Sequence, residues 1–206
     1  MLEKYNINQT TLKILAVYRS DYRRLSHLRE IAKETAVDVS PIHYQLERLE
    51  KMRVLFSALK GRNKEYSLNL GNLSVKYYMT LAETYTTVTY LERNFLIKKI
   101  TGELEAQIDG VIILFGSFAK GRATKNSDVD LFIVSEDESS VYGRAVREVQ
   151  DLVGRKINVK SMNEAGFIKG FSNGEPLIRE VVSDHVILKG IDKFCDMMWH
   201  IHARPR

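Results

Sequence analysis

Cysteine is almost missing from this chain, with Cys195 the single one among 206 residues. An intramolecular disulfide is excluded, and a reducing compartment is expected. Long apolar runs are missing as well. Stretches such as Val111 to Phe115 fall far short of a bilayer span, and the opening MLEKYNINQT lacks the apolar core of a signal peptide. No membrane partner is therefore expected, and the cytoplasm is the expected location. Internal repeats and low-complexity tracts are also lacking, which leaves one large domain or two small ones, each able to bury a core.

The charge that is present is unevenly placed. Residues 1–72 hold 13 Lys and Arg against 8 Asp and Glu, a net of +5, whereas residues 73–206 hold 18 of each. The whole basic excess thus lies in the first third, where it suits a polyanionic partner.

That first third reads as three helices and a hairpin. Asn8 or Gln9 can cap a helix carrying Leu12, Ile14, Leu15 and Val17, and His27 to Thr35 forms a second, short one. After the turn at residues 36–39, Ser40 is placed to cap a third helix with Pro41 at its first position. Ile42, Leu46, Leu49 and Met52 then recur at three- and four-residue spacing, leaving His43, Tyr44, Gln45 and Arg48 on other faces. Two strand-like runs follow, 54–59 and 64–68, joined by a tip crowded with Lys60, Arg62 and Lys64. Over residues 8–69 this order resembles the winged helix-turn-helix family of DNA-binding domains. The resemblance implies double-stranded DNA as partner, with the helix at Ser40, and its residues His43, Tyr44, Gln45 and Arg48, in the major groove. The hairpin lysines and Arg62 would meet phosphate.

From Ser74 to about Glu103 breakers are few, and Tyr78, Leu81, Tyr85, Val88 and Phe95 keep a helical spacing. A connecting helix is expected over 73–104. Its aromatic stripe suits either packing on its own domain or the seam of a homodimer.

The richest segment starts at Val111. A buried-type strand, Val111 to Phe115, stops at Gly116-Ser117, where glycine allows close backbone approach and serine can donate to phosphate. Lys120, Arg122 and Lys125 add positive charge nearby. After ten intervening residues, Ser117 is followed by Asp128-Val129-Asp130, leading a second apolar strand. Alternation puts the two carboxylates on one face, roughly 7 Å apart, as paired oxygen donors for magnesium. Gly-Ser, ten residues, then Asp-x-Asp resembles the DNA polymerase β superfamily of nucleotidyltransferases, its minimal members above all, over about residues 95–190. The resemblance implies transfer of a nucleoside monophosphate from a nucleoside triphosphate to a hydroxyl, using two magnesium ions. Gly116, Ser117, Lys120 and Arg122 would hold the phosphates, and Asp128 and Asp130 would serve catalysis and bind metal.

One position departs from that family. Its active members carry a third carboxylate on the next strand, and here the matching residue is Asn158, with a carbonyl oxygen but no charge. A missing unit charge about 4 Å from a divalent ion forfeits several kcal/mol at an effective dielectric of about 20. The acceptor-side metal should weaken most. The nearest acidic alternative, Glu164, lies beyond the strand.

The expected architecture is α+β. A winged helix-turn-helix occupies 1–72, a connecting helix 73–104, and a nucleotidyltransferase fold (a small mixed sheet flanked by helices) 105–206. The expected role is transcriptional regulation, with the second module binding nucleoside triphosphate and magnesium and at most weakly transferring nucleotide. The alternative is a working enzyme that attaches a nucleoside monophosphate to a protein or small-molecule hydroxyl, as in toxin–antitoxin relatives.

Overall fold

The computed structural model describes residues 7–61, 63–137 and 139–203, without side chains at 139–141. It mixes helices with two small sheets and divides into two compact units, Met1–Tyr85 with His202–Arg206, and Thr86–Ile201.

The first unit begins with α1 (Gln9–Ala16), capped by Asn8, whose side chain accepts from the Thr11 amide at 2.9 Å. A two-residue strand, β1 (Ser26–His27), leads into α2 (Leu28–Thr35), which Glu30 closes with a bond from the His27 amide. The third helix, α3 (Val39–Lys51), starts two residues earlier than the Ser40-Pro41 pair predicts, with Asp38 as its N-cap. Pro41 is still accommodated, because the first four helical N–H groups have no intrahelical acceptor to lose. The strands β2 (Leu55–Lys60) and β3 (Asn63–Leu68) form a hairpin in which Lys60 faces Asn63. Gly61 adopts φ +63° at its tip, as a two-residue loop requires. β1 adds to β3 and completes a sheet of order β1-β3-β2. Ile14, Leu15, Ile31, Ile42, Leu46 and Leu49 are buried among these helices, and the buried Tyr18 hydroxyl donates to the Tyr66 carbonyl at 3.1 Å.

The expected connector is two helices. α4 (Ser74–Arg93) and α5 (Phe95–Leu104) are separated by Asn94, whose backbone leaves the helical region at φ −127°, ψ 77°. Its side chain instead donates to the Tyr90 carbonyl at 2.8 Å. Threonines persist in α4 because their hydroxyls bond back along the helix, as Thr84 does to the Thr80 carbonyl. The aromatic stripe is partly spent inside its own unit: Tyr78 is buried, and the Tyr85 hydroxyl accepts from the Gln9 amide.

The second unit is built on β4 (Val111–Phe115), every residue of which is buried. The four-residue helix α6 (Gly116–Ala119) follows, then β5 (Val129–Val134), α7 (Ser139–Val153) and β6 (Ile157–Met162). Next come α8 (Glu164–Asn173), α9 (Pro176–Ser183), β7 (Val186–Lys189) and α10 (Ile191–Ala203). The sheet runs β6-β5-β4-β7; β4 pairs antiparallel with β5 and β7, while β5 and β6 are parallel. One face of it carries Ile112, Leu114, Leu131 and Ile133 against Ile97, Ile100 and Leu104 of α5 and Tyr142, Val146 and Val149 of α7. On the other, Phe115, Phe132, Phe167 and Phe194 follow one another at ring separations of 6.1–6.5 Å. Each fully buried aliphatic or aromatic side chain contributes about 1.5–3 kcal/mol, so these two layers hold the strands that carry the site.

Among the described residues no helix is long and apolar enough to cross a membrane.

Gly110 enters β4 with φ +120°, and a Cβ there would collide with the Val134 carbonyl oxygen. Gly110→Ala should therefore lower the stability of the full chain by about 2–4 kcal/mol, the sum of backbone strain and overpacking. Thermal or urea unfolding against the unchanged protein measures it, and an equal midpoint would show that the strand entrance relaxes freely.

Candidate functional site

Three neighbouring strands bring the polar residues of the second unit to one place. β4 ends at Phe115, which pairs with Asp130 on β5, and Asp130 in turn pairs with Asn158 on β6. Side chains at paired positions share a face, so Asp128, Asp130, Asn158 and the Gly116 turn face one another.

The contacts bear this out atom by atom. The Asn158 amide nitrogen donates to Asp130 Oδ1 at 3.0 Å and to Asp128 Oδ2 at 3.3 Å. A single NH₂ group thus reaches both carboxylates, which places them on one side of β5 as their alternation requires. Gly116 holds φ +70°, and a Cβ there would collide with Asp130 Oδ2 and lie 3.2 Å from Asp130 Cγ. The carboxylate rests directly over the glycine, so the residue before Ser117 must be glycine for two reasons, its φ and the missing side chain. The Tyr90 hydroxyl, pushed up to about 12 by burial, donates to the Phe118 carbonyl at 3.0 Å and ties down α6. Ser117 accepts at its backbone carbonyl from the Arg122 amide at 2.9 Å, which closes the turn after α6.

The cations sort differently from their order in the sequence. Lys120 lies 3.5 Å from Glu180 on α9. Arg122 and Lys125 are exposed on the turn that joins α6 to β5. Arg155 spends its guanidinium on the carbonyls of Lys125 and Ser127. The cation on the carboxylates is one the sequence reading passed over: Lys156 Nζ sits 3.1 Å from Asp128 Oδ2. The Lys156 ammonium, with the Asn158 amide, holds the Asp128 carboxyl below the usual carboxylate range. Alternation on β6 was the available signal, since Lys156 is two residues before Asn158 and shares its face.

This donor set fits one magnesium ion: two carboxylates, with water and substrate phosphate completing the shell. It does not supply a third carboxylate for another. Glu164 is not a substitute, because its amide bonds Glu136 beyond the far end of β5. That end lies about 13 Å or more from Asp130, at about 3.3 Å per residue. Among the described residues no group of three or more His, Cys, Asp or Glu is placed to hold a metal.

In the first unit, Ser40, His43 and Tyr44 are exposed on α3 and Arg48 is partly so. Gln45 corrects the expectation of a free face. It is buried, and its side-chain oxygen accepts from the Thr11 hydroxyl at 3.1 Å. Residues 42, 45, 46 and 49 form one helical face, so Gln45 sits inside the apolar stripe that its neighbours define. Lys60 lies 3.3 Å from Glu65 and Lys64 2.7 Å from Glu50. Arg62 lies outside the described residues.

A family model described as a nucleotidyltransferase domain matches residues 96–188, which hold most of α5, the β4–β6 site and most of β7. Among solved structures, one described as the crystal structure of a toxin-antitoxin with AMP-PNP is similar at 18% identity, covering 49% of this chain and 82% of that one. Its TM-score is 0.36, a likeness too slight to decide anything here. No curated protein matches the chain.

The clash at Gly116 gives a direct test of this geometry. Gly116→Ala should cost about 1–3 kcal/mol, and Asp130→Ala in the same chain should recover part of that loss. A double-mutant cycle by thermal unfolding checks it; strictly additive effects would mean that the carboxylate does not lie over the glycine.

Proposed function

We propose that this protein is a DNA-binding transcriptional regulator whose nucleotidyltransferase domain binds a nucleoside triphosphate together with magnesium. The observation that carries the nucleotide part is the shared Asn158 amide, which holds two carboxylates side by side next to the Gly116-Ser117 turn. Asp128 and Asp130 would hold the ion, which neutralises and orients the triphosphate when bound. Gly116 lets the phosphates approach the backbone, and the Ser117 hydroxyl, Lys120 and Arg122 are the donors at hand. Lys120 would exchange Glu180 for phosphate.

The family match favours a second reading, an enzyme that transfers the nucleoside monophosphate to a hydroxyl. The residue in the third carboxylate's place weighs against it. Asn158 cannot accept a proton from an attacking hydroxyl, and both its amide hydrogens are aimed at the aspartates. The sensor is therefore the better reading, with transfer at most slow.

DNA binding rests on the first unit. The winged-helix reading is supported by the three helices and the three-stranded antiparallel sheet, with Ser40, His43, Tyr44 and Arg48 along the exposed side of α3. Lys60 and Lys64 are paired with glutamates, but exposed ion pairs of this kind are worth about 0–1 kcal/mol, so phosphate can displace them.

Calorimetry with ATP and magnesium should show binding that weakens at least tenfold in Asp128→Asn/Asp130→Asn. Absence of binding by the unchanged protein would remove the sensor, and efficient labelling of an acceptor by labelled triphosphate would favour the enzyme.

Genomic fragments retained by the protein should be lost when Lys60, Arg62 and Lys64 become alanine. The salt dependence of binding should flatten by about one unit of slope for each phosphate contact removed. An unchanged slope would mean that the hairpin is not the DNA-facing surface.

A further inference from the structure

The carboxylate pair already has a positive partner of its own, Lys156 beside Asp128. Asp128 Oδ2 receives two donors, Lys156 Nζ at 3.1 Å and the Asn158 amide at 3.3 Å, which together use the lone pairs of that oxygen. Asp130 Oδ1 receives the other amide hydrogen at 3.0 Å. Asn158 lies on β6 and Lys156 directly before it, at the strand from which family members supply their third carboxylate. Among the described residues, none donates to Asp128 Oδ1 or to Asp130 Oδ2, the oxygen that lies over Gly116. The four oxygens are thus divided, one from each carboxylate capped by β6 and one from each left open. Asp130 leaves its open oxygen on the Gly116 side.

We infer that Lys156 and Asn158 replace the acceptor-side metal, so that the site takes a single divalent ion with its triphosphate. The inference rests on the nucleotide-binding reading above and specifies its stoichiometry. Two features favour the replacement. Turning the Asn158 amide over would aim its carbonyl oxygen at two carboxylates, so the anions themselves enforce the donor orientation. The Lys156 ammonium brings a like charge to where a second cation would bind, and the two repel. Lys156 acts here as a positioning residue, setting how many ions the aspartates accept.

The test counts ions rather than turnover. Electron paramagnetic resonance of Mn²⁺ with a non-hydrolysable nucleoside triphosphate and the full-length protein should give the spectrum of an isolated ion, one per bound nucleotide. In Asn158→Asp/Lys156→Met, shown folded by circular dichroism, two ions and the coupled spectrum of a close pair are expected, since paired metals in such sites lie about 3.5–4 Å apart. Lys156→Met alone adds no charge to the cluster and should bind its one ion about tenfold more tightly than the unchanged protein.

Two ions in the unchanged protein would overturn the inference while leaving nucleotide binding in place. So would unchanged Mn²⁺ affinity in Lys156→Met, or a single ion in the folded double variant. Absence of any nucleotide-dependent ion would remove the underlying reading as well. Should the double variant not fold, the count in the unchanged protein and the affinity of Lys156→Met decide the matter.

Discussion

The parallel pairing of β5 with β6 governs what this protein can do with its two aspartates. It sets Asp130 beside Asn158, and through the same register brings Lys156 against Asp128. The register itself is held from the opposite face, where Val129, Leu131 and Ile133 are packed away with Ile157. A slip of one residue would take those side chains out of this layer and bring the carboxylates into it, which the apolar packing forbids. The chemistry of the site is in this sense enforced by hydrophobic burial a few ångströms behind it.

Across the other edge of β5 the constraint is steric. Asp130 lies over Gly116, so the turn after β4 and the carboxylate are fitted to each other. The Tyr90 hydroxyl secures the same turn from α4 by bonding the Phe118 carbonyl. Carboxylate, turn and strand are therefore parts of one packed object. Two anions side by side would repel, and the amide and ammonium from β6 relieve that repulsion without any ion.

Much of this was legible in the chain, for local reasons. Asn8 caps its helix because a short polar side chain can accept from amides that have no other partner. Gly61 marks the hairpin tip because the loop needs a positive φ. Asp128 and Asp130 share a face because strands alternate. What escaped depended on neighbours distant in sequence. Gln45 looked like a surface residue by type, yet it lies on the apolar face of α3 and finds its partner in Thr11 on α1. Asp38 took the capping place expected of Ser40, a shift of the kind that helix starts commonly show. Asn94 broke a run whose spacing continued through it, because a side-chain bond to Tyr90 stabilised the non-helical backbone.

By itself the sequence determined the presence of a glycine–serine pair at the end of an apolar strand and, after ten intervening residues, of two co-facing aspartates. Those are matters of residue type and of a two-residue period, and they need no knowledge of the fold. Only the tertiary structure decided which cation attends the carboxylates. Lys120, Arg122 and Lys125 are nearer to the motif along the chain, but Lys156, 28 residues from Asp128, is the one in contact. Distance along a backbone says little about distance in space once a parallel strand has crossed over, and electrostatic pairing follows space.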